Sequence, residues 1–190
     1  MRSAIAFAAL LMLAGCGSSP KTHYYTLSVA TRTPQHPIRV SSPVQIVAVH
    51  IPDSLDRREM VSEIGPNALD ISDQDRWSAP LADMTRNVLS QDLATYLPPG
   101  MVVLPDAPAP ATTAQIVVSI AQFGPRASGK VMLVGSWSLL KGNPPKPILR
   151  RDVSLEGNRP GTGADADAAG MSDLLGQLAE RIASTLPATR

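Results

Sequence analysis

The run 44–51 (VQIVAVHI) is almost unbroken apolar residue, closed by Pro52. So short a run, rich in Val and Ile, predicts a strand buried on both faces, inside a sheet and not at its edge. Upstream, Tyr24-Tyr25-Thr26-Leu27 is aromatic and β-branched and predicts a first strand. Residues 30–43 between them carry three prolines without a period and read as a loop. Downstream, residues 58–64 and 68–72 flank Gly65-Pro66-Asn67, a turn signal that predicts a hairpin. The period then changes. Leu81, Met84, Val88, Leu89, Leu93, Tyr96 and Leu97 recur at helical spacing, with Asp83, Arg86, Asn87, Gln91 and Asp92 between them. That is an amphipathic helix with one buried face, stopped by Pro98-Pro99-Gly100. Ser78 is its candidate N-cap, and Pro80 suits a first turn, where a missing N–H leaves no bond unmade.

Residues 101–104 predict a short strand, and 105–113 (PDAPAPATT) a proline-rich connection. Ile116, Val118 and Ile120 share one parity, as do Val131, Leu133, Trp137 and Leu139, and turn residues at 124–130 join the two runs as an antiparallel pair. Residues 147–155 (PILRRDVSL) predict another strand, and the Gly-, Ala- and Asp-rich stretch 157–170 a loop. Met171, Leu174, Leu175, Leu178, Ile182 and Leu186 form a second amphipathic helix, ended by Pro187. The order predicts an α+β fold: a single mixed, largely antiparallel sheet with two long amphipathic helices packed on it.

One apolar run obeys neither period. Residues 4–13 (AIAFAALLML) follow Arg2 and lead through Ala14-Gly15 to Cys16, the only cysteine. A basic start, an apolar core and a small-residue exit describe a secretory signal peptide. The run is roughly half of the ~20 residues a transmembrane helix needs. Leu13-Ala14-Gly15-Cys16 resembles the bacterial lipobox, cut immediately before the cysteine. In that class the thiol becomes a thioether to diacylglycerol and the new amine is then acylated. An odd cysteine in an exported chain asks for such an explanation. Burial contributes about 0.8 kcal/mol per CH₂, so two or three chains hold a protein on a membrane where one myristoyl chain does so only marginally. The organisation expected is a signal peptide at 1–15, a lipidated tether at 16–21 and a single α+β domain over 22–190, a length that suits one domain. With Cys16 committed to lipid no disulfide is available, and the mature fold rests on its core.

Formal net charge is +1 and no run of Lys or Arg occurs. That excludes a nucleic-acid binder and argues against electrostatic attachment to anionic lipid. His23, His36 and His50 stand in no metal-ligand spacing, so no metal is expected. His50 reads as a satisfied residue of an apolar strand. Asp70, Asp73 and Asp75 lack the central Gly and distal Glu of an EF-hand loop and read as turn residues. Asp165 and Asp167 read as serving the approach to the last helix. No Gly-x-Ser-x-Gly elbow, P-loop or dinucleotide fingerprint occurs, so no catalytic residue is named and no enzyme is expected. Trp137 reads as core. Trp77, beside a helix start, is the candidate partner contact, since indoles are common hot spots, with packing under the helix as the alternative.

Taken in order, these residues resemble the ABC-type transport auxiliary lipoproteins, the PqiC-type family. The matching features are the lipobox at Cys16, Tyr24-Tyr25-Thr26-Leu27, the strand ending Val49-His50-Ile51-Pro52 with Leu55 beyond it, and Trp77-Ser78-Ala79-Pro80-Leu81. Leu97-Pro98, Phe123, Gly129-Lys130-Val131 and Gly135-Ser136-Trp137 complete the set. The resemblance covers the mature chain, although no single motif in it is specific. It implies a lipoprotein on the periplasmic side of the outer membrane, docking a mammalian-cell-entry (MCE) domain protein of an inner-membrane lipid-transport system that maintains the envelope. Gly17 stands after the cysteine where Asp would retain a lipoprotein in the inner membrane of enteric bacteria. No cofactor is implied beyond the lipids on Cys16, and a homo-oligomeric collar would match a multimeric partner. The loops at 30–43 and 105–113 and the Asp-Ala-Asp stretch at 165–167 depart from the family's pattern. The alternative is a periplasmic carrier that holds an acyl chain itself, in a cavity between helix and sheet.

Overall fold

The computed structural model describes residues 20–31 and 38–188. The chain forms β1 (His23–Tyr25), β2 (Val44–His50), β3 (Glu59–Gly65), β4 (Ala68–Trp77), α1 (Leu81–Tyr96), β5 (Val102–Val103), β6 (Ala114–Pro125), β7 (Lys130–Lys141), β8 (Lys146–Asn158) and α2 (Ala164–Thr185). The class is α+β, but the strands divide into two sheets and not one. Five strands run in the order β5-β2-β6-β7-β8, and three in the order β1-β4-β3. β2 is parallel to both its neighbours, while β6, β7 and β8 form an antiparallel meander. The run at 44–51 thus lies between two strands as expected, but β5 reaches only Val44 and Gln45, and after Ile46 the strand is part-exposed and not buried on both faces as predicted.

The two helices pack on each other and on one face of the five-stranded sheet, α1 over β2 and β5, α2 over β6 to β8. Period-2 apolar positions supply the sheet side of this core. Ile116, Val118 and Ile120 of β6 and Val131, Leu133, Trp137 and Leu139 of β7 are all buried. Leu174, Leu175, Leu178 and Ile182 of α2 and Leu89 and Leu93 of α1 close it from above with no exposed surface at all. Gly135 sits where β7 meets a bulge in β6 after Ile120, and a Cβ there would stand 2.3 Å from the Ser119 carbonyl oxygen. Only glycine permits that approach.

Two helix starts differ from expectation. Pro80, not Ser78, occupies the N-cap of α1, and no side chain of its own caps it. Asp56 Oδ1 instead accepts the Ala82 N–H from outside the helix (3.1 Å). α2 begins at Ala164, seven residues before the apolar period. The stretch read as a loop holds Ala164, Ala166, Ala168 and Ala169, the strongest helix former, behind acidic residues that suit a first turn. Asp165 and Asp167 thus lie inside the helix, and Asp167 Oδ1 accepts from Arg159 Nη1 at 2.8 Å.

After β1 the chain crosses the helix pair. Leu27 is buried, the Ser28 N–H donates to Ser172 Oγ of α2 (3.0 Å), and the Ala30 N–H donates to the buried Asp92 carboxylate of α1 (2.9 Å). The N-terminal segment is thereby fixed to the fold at both helices.

Candidate functional site

The smaller sheet carries the residues singled out for function. β3 and β4 form the hairpin expected around Gly65-Pro66-Asn67, but β4 runs on past residue 72 to Trp77. Between Val61↔Ile71 and Glu59↔Arg76 the β4 side holds three residues more than the β3 side requires. The Ser72 hydroxyl accepts the Asp75 N–H (2.9 Å) across this irregularity and donates to Asp75 Oδ2 (3.0 Å). The far half of β4 then takes β1 as a parallel partner, His23↔Asp75, Tyr24↔Arg76 and Tyr25↔Trp77.

Trp77 is 4% exposed and belongs to the main core. Its backbone N–H donates to the Arg58 carbonyl (2.7 Å) and Tyr25 is its cross-strand neighbour. The expectation that it meets a partner is thus corrected: the indole is buried in the main core, the packing alternative. Trp137 is buried, as expected of it. Cys16 and His36 lie outside the described residues. His50 is exposed at the end of β2 and is not a core residue, because it is the strand's last residue, beyond the part covered by the helices. Asp70 pairs with Ser62 across the hairpin, while Asp75 Oδ1 lies 3.5 Å from His23 Nδ1. Among the described residues no group of three His, Cys, Asp or Glu could hold a metal ion.

Burial at the sheet, and after it the Asp75 carboxylate, raise the Tyr25 phenol above its ordinary pKa of 10.0. The folded chain therefore keeps this proton to higher pH than the unfolded chain does. The stability it contributes is complete below pH 10.0 and is lost as pH climbs through the folded value. Thermal unfolding of the wild type and Tyr25→Phe should run in parallel below that pH, with the wild type falling faster above it. Parallel curves throughout would show the phenol unshifted. At the same end of the small sheet, where β3 begins, the Arg57 guanidinium bonded to Glu59 (3.0 Å) holds that carboxyl below its usual range.

What sequence reading missed is the tip of the hairpin. Ile64 is 59% exposed, Leu69 48% and Ile71 41%, although the base of the same hairpin is buried at Met60 and Trp77. The tip is held away from solvent on one side only, where Glu63 forms an ion pair with Arg126 and an isolated parallel bridge. Beneath it lies a half-open cleft of about 160 Å³ lined by Leu55, Val61, Leu69, Phe123 and Met132 among others. Ligand pockets usually measure about 300–1,000 Å³. The cleft lies between hairpin and sheet end, whereas the carrier alternative places its cavity between helix and sheet, where Leu174 and Ile182 pack without gaps in exposure. The opposite face of the large sheet is an open trough floored by Ser119, Ser136, Arg150, Asp152 and Ser154.

Residues 25–183 match the model of the ABC-type transport auxiliary lipoprotein component. The chain belongs to that family. It is 30% identical over 182 residues to the intermembrane transport lipoprotein PqiC of Escherichia coli K12, covering 94% of each chain, and equally to its counterpart in Shigella flexneri. Two crystal structures share the fold. One, of an uncharacterized protein, has a TM-score of 0.71 at 24% identity and covers 87% of this chain and 98% of the other. The second, of a Xanthomonas campestris protein, has a TM-score of 0.68 at 14% identity, covering 84% and 92%. The family resemblance read from the ordered residues is thus shown. None of the helices of the described residues is long and apolar enough to cross a membrane.

Proposed function

We propose that this chain is a non-enzymatic lipoprotein anchored by acyl chains on Cys16 to the periplasmic face of the outer membrane. There it serves as the docking component of an intermembrane lipid-transport system. Its partner is an MCE-domain protein of an inner-membrane ABC system, and the assembly maintains the envelope barrier. The observation that carries this reading is likeness to an intermembrane transport lipoprotein along 94% of both chains. The lipobox at the place where a tether should begin supports it. A homo-oligomer with its axis along the transport path suits a docking role, since symmetric rings match multimeric partners.

The test is affinity capture of the full-length, membrane-anchored protein from a detergent extract of the envelope, with partners identified by mass spectrometry. Recovery of an MCE-domain protein is expected, and deletion of this lipoprotein should free that partner from outer-membrane material. Capture of the lipidated chain without any transport component overturns the docking role.

A further inference from the structure

We infer that the tip of the β3–β4 hairpin is a second membrane contact, with Ile64, Leu69 and Ile71 seated in the surface of the bilayer that holds the lipid on Cys16. The inference rests on the anchoring reading above. Cys16 stands four residues before Pro20, the first described residue, and seven before His23. A chain spans at most about 3.3–3.6 Å per residue, so the acylated residue lies within roughly 14 Å of Pro20 and roughly 25 Å of His23. The bilayer surface must come equally near.

Topology decides which part of the fold faces that surface. β1 is parallel to β4, and β4 starts at the hairpin turn. The chain entering β1 at His23 therefore arrives from the hairpin side, away from the helices. Asp75, the partner of His23, is seven residues from Ala68 at the tip, about 23 Å of extended strand before the irregularity at 72–75 shortens it. Tether and arm thus have matching reach, and they start from the same register position.

The chemistry of the tip agrees. Residues 64–71 (IGPNALDI) hold one charged side chain, Asp70, and no Lys or Arg. Glu63, just before, is neutralised by Arg126. Three of the seven exposed large apolar side chains among the described residues gather at the end of this one arm, while Tyr24, Val29, Leu104 and Ile148 lie on other segments, and such a cluster calls for an apolar environment. An acyl-anchored protein has one beside it. The contact so made is apolar and independent of salt, in contrast to a basic patch on anionic lipid.

The experiment uses the full-length lipidated protein, reconstituted in phosphatidylethanolamine–phosphatidylglycerol vesicles, with Ile64→Trp as the reporter. The native indoles at 77 and 137 are buried and serve as a constant background. Brominated acyl chains should quench the new emission and vesicles should shift it to the blue, at low and high salt alike. Ile148→Trp, at an equally exposed site on β8, should show neither effect. Mass analysis and flotation report separately on the anchor. A chain that carries no lipid and does not float overturns the anchoring reading and this proposal with it. A lipidated, floating chain whose residue 64 reporter stays water-like overturns the hairpin contact alone, as does an emission change that appears only when an MCE-domain partner is added.

Discussion

Replacing Cys16 with alanine is expected to empty the outer-membrane fraction of this protein. The substitution removes one sulfur and with it the whole anchor, because the thioether to diacylglycerol has no other nucleophile to form on: Cys16 is the only cysteine. Each buried CH₂ contributes about 0.8 kcal/mol, so two or three acyl chains exceed every other contribution to membrane affinity in this chain. The hairpin tip offers three partly exposed side chains and the net charge of +1 offers nothing. The lipobox also directs cleavage, so the variant should keep residues 1–15 and travel with the inner membrane or the periplasm. Density-gradient fractionation with mass analysis of the N-terminal peptide reads both effects. Undiminished residence of Cys16→Ala in outer membranes would remove the lipid anchor from the account.

The proposed anchor is read from the sequence alone, whereas the hairpin tip proposed to meet the membrane is visible only in the structure. The reason is physical. Local periods report which face of an element is buried, and they located β2, α1 and the β6–β7 pair within a few residues. Pairing between distant segments leaves no period. His23↔Asp75 joins residues 52 apart, and this pairing sets β1 in the smaller sheet with Tyr25 beside the buried Trp77. The same gap hid the hairpin tip. Ile64, Leu69 and Ile71 have the composition of core residues and become a surface because the arm that carries them extends past the sheet it leans on. The first turns of α2 leave no such mark for a different cause: alanines at 164–169 contribute helix propensity but no apolar period strong enough to mark a face.

Trp77→Ala separates a packing role from a partner-contact role with one substitution. As a core residue at 4% exposure, its truncation should cost about 3–5 kcal/mol, since the cavity adds to the lost transfer energy. A domain of this size has about 5–15 kcal/mol in total, so much of it would be lost. At about 2–4 °C per kcal/mol the melting temperature should fall by roughly 6–20 °C. Trp77→Phe keeps most of the apolar volume and should lose far less. On the proposed function the loss has a route to activity, because Trp77 pairs with Tyr25 of β1, the first element of the described residues after the proposed tether. Weakening that pair would loosen the register on which the proposed hairpin contact depends. A partner-facing indole predicts the opposite pattern: an unmoved melting temperature in both variants and a loss of MCE-protein capture that phenylalanine does not repair. Thermal unfolding and affinity capture of the same three proteins distinguish the two, and the burial of the indole places the large effect in the unfolding curve.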